Sequence, residues 1–242
     1  MTNNYQANGF YILRNLISES EISEILNTAK EIFRLGMGLS PATDRDFETC
    51  LYQYFEKDRE GFINCGKQIQ HMLALHRLGV SHKIIRELGL PFVNIATRPV
   101  MFFNNRRLAE KDVYHTVPAH QDAYSIGGSL DSMVVWIPLI NVTKDLGALQ
   151  VVPGSHAKGL LTSGSLEGFG LVDCFKDEDF ITVEMRAGDA LFFSSYLVHR
   201  SGNNTTDSIR WSAHFRYNSM LDSDFQKRKF PHPYIYKPIS KT

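Results

Sequence analysis

The strongest constraint on the fold is a change of hydrophobic rhythm at Gly89. Before it, apolar residues recur mostly at helical spacing. Ser18 and Glu21 have capping-box spacing, and Ile22, Ile25, Leu26, Ala29 and Phe33 follow on one face until Gly36. Residues 37–56 carry weak periodicity and are expected to be loop and short helix. Asp58 to Leu78 reads as a helix, with Phe62, Ile69, Met72, Leu73 and Leu75 on its apolar side. Ser81 is expected to cap a short helix to Leu88, which Gly89 stops. After Gly89 come short stretches rich in β-branched and aromatic residues: Phe92–Phe103, Met133–Ile140, Leu149–Val152, Ile181–Met185, Ala190–Ser195 and Ile209–Tyr217. Turn signals such as Gly127-Gly128, Pro153-Gly154 and Gly188-Asp189 separate them. An early strand, Gly9–Leu13, precedes the first helix. Helices followed by many short strands imply an antiparallel sandwich or barrel with helices on one side. No repeat or linker interrupts the chain. One domain over 1–242 is expected, helical over about 1–90, with the β core over about 91–220.

Charge and cysteine content narrow the class. Lys plus Arg and Asp plus Glu both number 26, so no net field draws the chain to nucleic acid or to an anionic membrane. No apolar run approaches membrane-span length. The opening Met1-Thr2-Asn3-Asn4-Tyr5 lacks the basic and apolar regions of a secretory signal. Cys50, Cys65 and Cys174 show no CxxC spacing and read as reduced thiols. A cytoplasmic protein with a small-molecule partner is expected. Sixteen Phe and ten Tyr point to a core or pocket rich in rings.

Chemistry concentrates after residue 117. In an extended Val117–Tyr124, His120 and Asp122 point the same way and Gln121 the other. One imidazole and one carboxylate supply two corners of a mononuclear metal site. A second His completes the 2-His-1-carboxylate arrangement that leaves positions open on Fe(II). Taken alone, His-x-Asp recurs by chance as a surface pair. Of the three later histidines, His156, His199 and His214, His199 has the best surroundings. Gly188–Phe193 reads as a tight turn feeding a buried strand, and His199 lies just beyond its end. His71, His76 and His82 fall in the helical part and read as packing or surface residues. The final strand alternates cleanly: Ile209, Trp211, Ala213, Phe215 and Tyr217 face one way, and Ser208, Arg210, Ser212, His214 and Arg216 the other. If the polar face looks inward, Arg210 projects toward the metal. A buried guanidinium must be paired, and no protein carboxylate is evident, which points to one that arrives with a cosubstrate.

His120-Gln121-Asp122, Val135–Leu139, Gly147–His156, Gly188-Asp189-Ala190, His199–Asn203 and Arg210 together resemble the phytanoyl-CoA dioxygenase family. Gly9–Leu13 with the capped helix after it resembles that family's N-terminus. The likeness is strong over 117–217 and loose over 37–115. It implies a double-stranded β-helix, the cupin-like jelly roll, and Fe(II)- and 2-oxoglutarate-dependent oxygenation with O2. It implies His120, Asp122 and His199 as iron ligands, and Arg210 with Ser201 on the distal carboxylate of 2-oxoglutarate. Trp136 would pack beside the cosubstrate, and Asn104 is a further polar contact from the preceding strand. His156 would be a turn residue near the pocket mouth. The expected reaction is hydroxylation of an unactivated C–H in a small metabolite or natural-product intermediate, with release of succinate and CO2.

Two other readings stay open: a non-catalytic cupin-like metal- or ligand-binding protein, and a cupin enzyme that uses the metal without 2-oxoglutarate. Arg210 and Ser201 separate them from the oxygenase, because neither alternative needs a carboxylate clamp beside the triad. A last expectation concerns the substrate. His214 and Arg216 on the inward face need a partner, either an acidic side chain such as Asp189 or Glu184, or an anionic group on the substrate. Tyr124, two places past Asp122, would pack on the substrate's apolar part. A small, anionic substrate touching Tyr124, His214 and Arg216 is the resulting expectation.

Overall fold

Ser18 opens the first long helix as its spacing to Glu21 predicts. In the computed structural model, which describes residues 3–108, 116–166 and 169–232, the Glu21 amide donates to the Ser18 hydroxyl and the Ser18 amide donates to the Glu21 carboxylate. Two orphan donors at the helix start are thereby satisfied. A short helix α1 (Asn3–Asn8) and strand β1 (Phe10–Leu13) come first; α2 then spans Glu19–Met37. It ends at Gly38, in the left-handed region, two residues past the expected stop. The loop and short helix expected over 37–56 prove to be a longer helix after a shorter loop. Thr43 caps a full helix, α3 (Asp44–Lys57), which buries Phe47, Leu51, Tyr52 and Phe55. Its charged start, Asp44-Arg45-Asp46, dilutes the periodicity.

The single helix expected over 58–78 is also corrected, to α4 (Arg59–Ile69) and α5 (Leu73–Gly79). Between them Gln70 turns its side chain onto the backbone of Met101: Nε2 donates to the carbonyl at 3.0 Å, and Oε1 accepts from the amide at 2.6 Å. This clamp joins the helical layer to the first long strand and is invisible to local pattern. α6 (His82–Leu88) stops at Gly89, as expected.

The strands are β2 (Val93–Asn104), β3 (Met133–Pro138), β4 (Leu149–Val151), β5 (Gly164–Leu166), β6 (Phe169–Leu171), β7 (Ile181–Val183), β8 (Ala190–Ser194), β9 (His199–Ser201) and β10 (Arg210–Ser219); α7 is Asp122–Ile126 and α8 Ser223–Lys227. Five strands form one antiparallel sheet in the order β1-β8-β3-β10-β2, three form a second in the order β7-β4-β9, and β5 and β6 make a hairpin. The three-residue β5, β6 and β9 are too short for periodicity to reveal. Each face of the large sheet has its own core. Met133, Val135, Ile137, Trp211, Ala213 and Phe215 pack on the helices, against residues such as Phe33, Leu51, Ile69 and Leu75. Val134, Trp136, Leu191 and Phe193 face Leu149, Val151 and Val183 of the small sheet. Two opposed antiparallel sheets with helices on the outer face constitute a jelly roll. No helix among the described residues is long and apolar enough to cross a membrane.

Phe33 is fully buried, and its ring centre lies 5.2 Å from both Phe62 and Phe103. Phe33→Ala is expected to destabilise the protein by about 3–5 kcal/mol, read from urea unfolding midpoints. A loss below ~1 kcal/mol would mean that the helical layer does not share the sheet's core.

Candidate metal centre

His120 and His199 are brought together by backbone. The two residues form an antiparallel bridge, each amide donating to the other's carbonyl, at 3.0 and 3.1 Å. Their rings stand side by side with centres 4.2 Å apart. Each ring is oriented in the same way. His120 Nδ1 bonds Pro118 O at 2.8 Å, and His199 Nδ1 bonds Leu197 O at 3.0 Å. A carbonyl only accepts, so each Nδ1 carries the proton and each Nε2 keeps its lone pair for a cation. Burial lowers the pKa of both rings; His120 falls to about 3, with His199 adding to the effect. Both are therefore neutral, the form that binds metal.

Asp122 completes the cluster from a different kind of element. Gln121 is extended, but at Asp122 the chain turns into α7, so the extended segment expected through Tyr124 ends there. The one extended residue is enough to put the Asp122 carboxylate beside the histidines. Ligand atoms of His120, Asp122 and His199 all lie within 4.8 Å of one another, and all three residues are buried. Among the described residues Asp122 Oδ2 has no hydrogen-bond partner, while Oδ1 accepts from Arg216 Nη2 at 3.0 Å. Burial alone would raise this carboxyl's pKa; the Arg216 charge, with the two histidines, holds it well below the usual range. Two neutral imidazoles and one bare carboxylate oxygen suit a divalent transition metal.

Arg210 enters the same cavity from β10. It is 3% exposed, and burial lowers its pKa to about 10. Among the described residues it has no carboxylate partner. It donates to Gly147 O and, at 3.4 Å, to Ser201 Oγ, while its Nε has no acceptor. Gly147 has φ 80°, and a Cβ there would lie 2.8 Å from Gly202 O, so the carbonyl that receives Arg210 requires glycine. A buried fork with a donor to spare beside a metal cluster suits the carboxylate of a chelating acid such as 2-oxoglutarate. Trp136, fully buried, pairs in register with His214, and its indole N–H has no acceptor among the described residues. Asn104 pairs in register with Arg210 from β2 and is buried.

Of the expected substrate residues, His214 and Arg216 line the cavity and Tyr124 does not. Arg216 pairs through Nη2 with Asp122 and not with Asp189 or Glu184, and its buried Nε has no acceptor among the described residues. Asp189 accepts from Arg14 and from the Asn15 and Arg186 amides, and Glu184 from the Lys144 amide. His214 is pushed well below its ordinary pKa by burial, with Arg216 adding to the effect, so it needs no counter-ion. It lies edge-on to Phe102 at 4.7 Å and contacts Ser212 Oγ at 3.3 Å. Tyr124, 42% exposed, falls where the strand alternation has ended; it packs against Gly170 instead of lining the cavity. His156 packs on Gly9 and Tyr5, away from the cavity wall. Phe102, Val117 and Leu149 line the cavity and were not foreseen. Leu149 lies within the Gly147–His156 stretch and Val117 three residues before His120, and that proximity was the available signal. A separate groove of about 650 Å³, lined by Arg14, Asn141, Glu184 and Arg186, lies elsewhere, and the described residues place no metal-ligating cluster in it.

Comparison with known proteins agrees with this geometry. The family model for phytanoyl-CoA dioxygenase (PhyH) matches residues 5–212. Human peroxisomal phytanoyl-CoA dioxygenase is 26% identical over 228 residues, covering 87% of this chain; the chain spans 66% of that relative's length. Methylphosphonate hydroxylase of Gimesia maris is 33% identical over 114 residues, 46% of this chain and 43% of the other. The structure of the epimerase SnoN, in complex with Fe3+, alpha ketoglutarate and nogalamycin RO, superposes with a TM-score of 0.59 over 89% of this chain and 81% of its own, at 19% identity. That likeness speaks for the fold.

His120→Ala and His199→Ala are each expected to abolish stoichiometric Fe(II) binding, because two remaining ligands hold the ion poorly. His156→Ala and His214→Ala should keep most of it. Iron content of the purified variants decides; loss in His214→Ala with retention in His199→Ala would name the wrong histidine.

Proposed function

The chain belongs to the phytanoyl-CoA dioxygenase family, and from that membership we propose that it is an Fe(II)- and 2-oxoglutarate-dependent oxygenase that hydroxylates an unactivated C–H bond of a small molecule. We read residues 1–242 as one oxygenase domain. The observation that carries the reading is the joint placement of Arg210 and Ser201 in the cavity of the His120–Asp122–His199 cluster. A metal-binding jelly roll that used no cosubstrate would have no use for a buried guanidinium with a donor to spare beside its metal. That disfavours both the non-catalytic reading and the cupin enzyme that works without 2-oxoglutarate.

Each residue then has a definite task. His120, His199 and Asp122 hold the metal and leave part of its coordination sphere open. Arg210, with Ser201 beside it, grips the distal carboxylate of 2-oxoglutarate and so sets the end that chelates. His214 walls the cosubstrate's side of the cavity with Trp136 edge-on behind it, and Asn104 supports Arg210 from the neighbouring strand. Phe102, Val117 and Leu149 keep water out where the substrate's C–H bond must lie. Iron with 2-oxoglutarate and O2 supplies the oxidation when bound, and succinate and CO2 are released. The Arg216–Asp122 pair meets part of the need that an anionic substrate would otherwise fill, while the Arg216 Nε in the same cavity keeps a donor for such a group.

Arg210→Lys keeps the charge but loses the planar fork, so the affinity for 2-oxoglutarate is expected to fall on the order of ten-fold or more while iron stays bound. An anaerobic titration of the Fe(II) protein reads both. An unchanged titration would remove Arg210 from this role, and a succinate-release screen over small metabolites would identify the substrate class.

A further inference from the structure

We infer that Arg216 is a positioning residue that makes Asp122 a one-oxygen donor to the metal, an inference that rests on the iron-site reading above. The two oxygens of Asp122 are unequal. Arg216 Nη2 holds Oδ1 at 3.0 Å, the two side chains being 13% and 3% exposed. Oδ2 is buried, has no hydrogen-bond partner among the described residues, and lies 3.9 Å from His199 Nε2. A cation among the three ligands therefore meets the bare oxygen. Chelation by both oxygens would require Oδ1 to surrender a charge-assisted hydrogen bond in a water-poor site. Monodentate binding keeps one more position on the metal open for exchangeable ligands.

The strand geometry gives independent support. Against β3, the register of β10 runs unbroken through Arg216, which faces Val134. Against β2, the register shifts between His214 and Arg216 and again between Arg216 and Tyr217. The extra residues lie in β2, which takes five steps from Val100 to Ile95 while β10 takes three from His214 to Tyr217; β10 itself stays regular against β3, and that regular pairing fixes the position of Arg216 opposite Val134. The pairing has an electrostatic consequence as well. Arg216 cancels the charge of Asp122, so a bound divalent cation keeps its full double charge toward an anionic chelator. Arg216 touches the ligand and not the reacting atoms, which makes its effect indirect.

The test uses Co(II) as an anaerobic probe of wild type, Arg216→Gln and Arg216→Lys. Wild type is expected to bind Co(II) with a defined visible d–d spectrum. With the Arg216 charge gone and both Asp122 oxygens free to chelate, Arg216→Gln should bind Co(II) more tightly than wild type and, when saturated, show an altered band envelope; Arg216→Lys should restore part of the wild-type envelope. A residue that served folding alone would lower the thermal midpoint and leave the saturated spectrum unchanged, and that result overturns the inference. Wild-type affinity and spectrum in Arg216→Gln overturn it equally. Difference infrared spectra of wild type labelled with [13C]aspartate need no variant: a wide splitting of the carboxylate stretches on metal uptake supports one-oxygen binding, and a narrow chelate splitting overturns it. Failure of wild type to bind Co(II) or Fe(II) at all would overturn the iron-site reading instead, so the two failures are distinguishable.

Discussion

Charge buried between two sheets is the constraint from which the site follows. Arg210, Arg216 and Asp122 all project into the space between the large and small sheets, where an unpaired ion costs several kcal/mol. Asp122 and Arg216 pair through one hydrogen bond. Arg210 is satisfied only in part, by a carbonyl and a distant hydroxyl. A carboxylate-bearing cosubstrate would complete it. The neutral state of His120, His199 and His214 follows from the same low-dielectric setting. Burial thus sets the protonation of the site before any metal enters.

Rigidity comes from the strand that carries these charges. β10 lies between β3 and β2, and its alternate residues face opposite layers. Trp211, Phe215 and Tyr217 are locked in the helical core, and Tyr217 donates to Gly79 O across it at 2.6 Å. Arg210, His214 and Arg216 on the opposite face inherit that fixation. The helices therefore hold the site still without touching it. The histidines are fixed by a different device, a backbone bridge with two hydrogen bonds, which leaves little freedom in the ligand separation.

Much of this was legible in the chain because it follows from local chemistry. The Ser18 cap, the stop at Gly89 and the alternation of 209–217 are periodic or stereochemical signals that neighbours in sequence carry by themselves. Motif order singled out His120, Asp122, His199 and Arg210, and the structure places all four around one cavity. The strand through Tyr124, the extent of the helix within 37–56 and the unbroken helix over 58–78 were misread for one shared reason. A helical turn starting at Asp122, charge diluting the apolar pattern of α3, and a Gln70 clamp on Met101 are each decided by surroundings beyond the local window.

The sequence by itself determined the order of helices and strands, the two faces of the last strand and the residue types of a 2-His-1-carboxylate centre, because spacing along the backbone dictates direction. Only the tertiary structure decided who pairs with whom. Arg216 reaches across 94 positions to Asp122, while Asp189 and Glu184, no less acidic, are taken up elsewhere. A charge does not reveal its partner from its place in the chain; the partner is the one that the packing of the two sheets brings within hydrogen-bond reach, away from water.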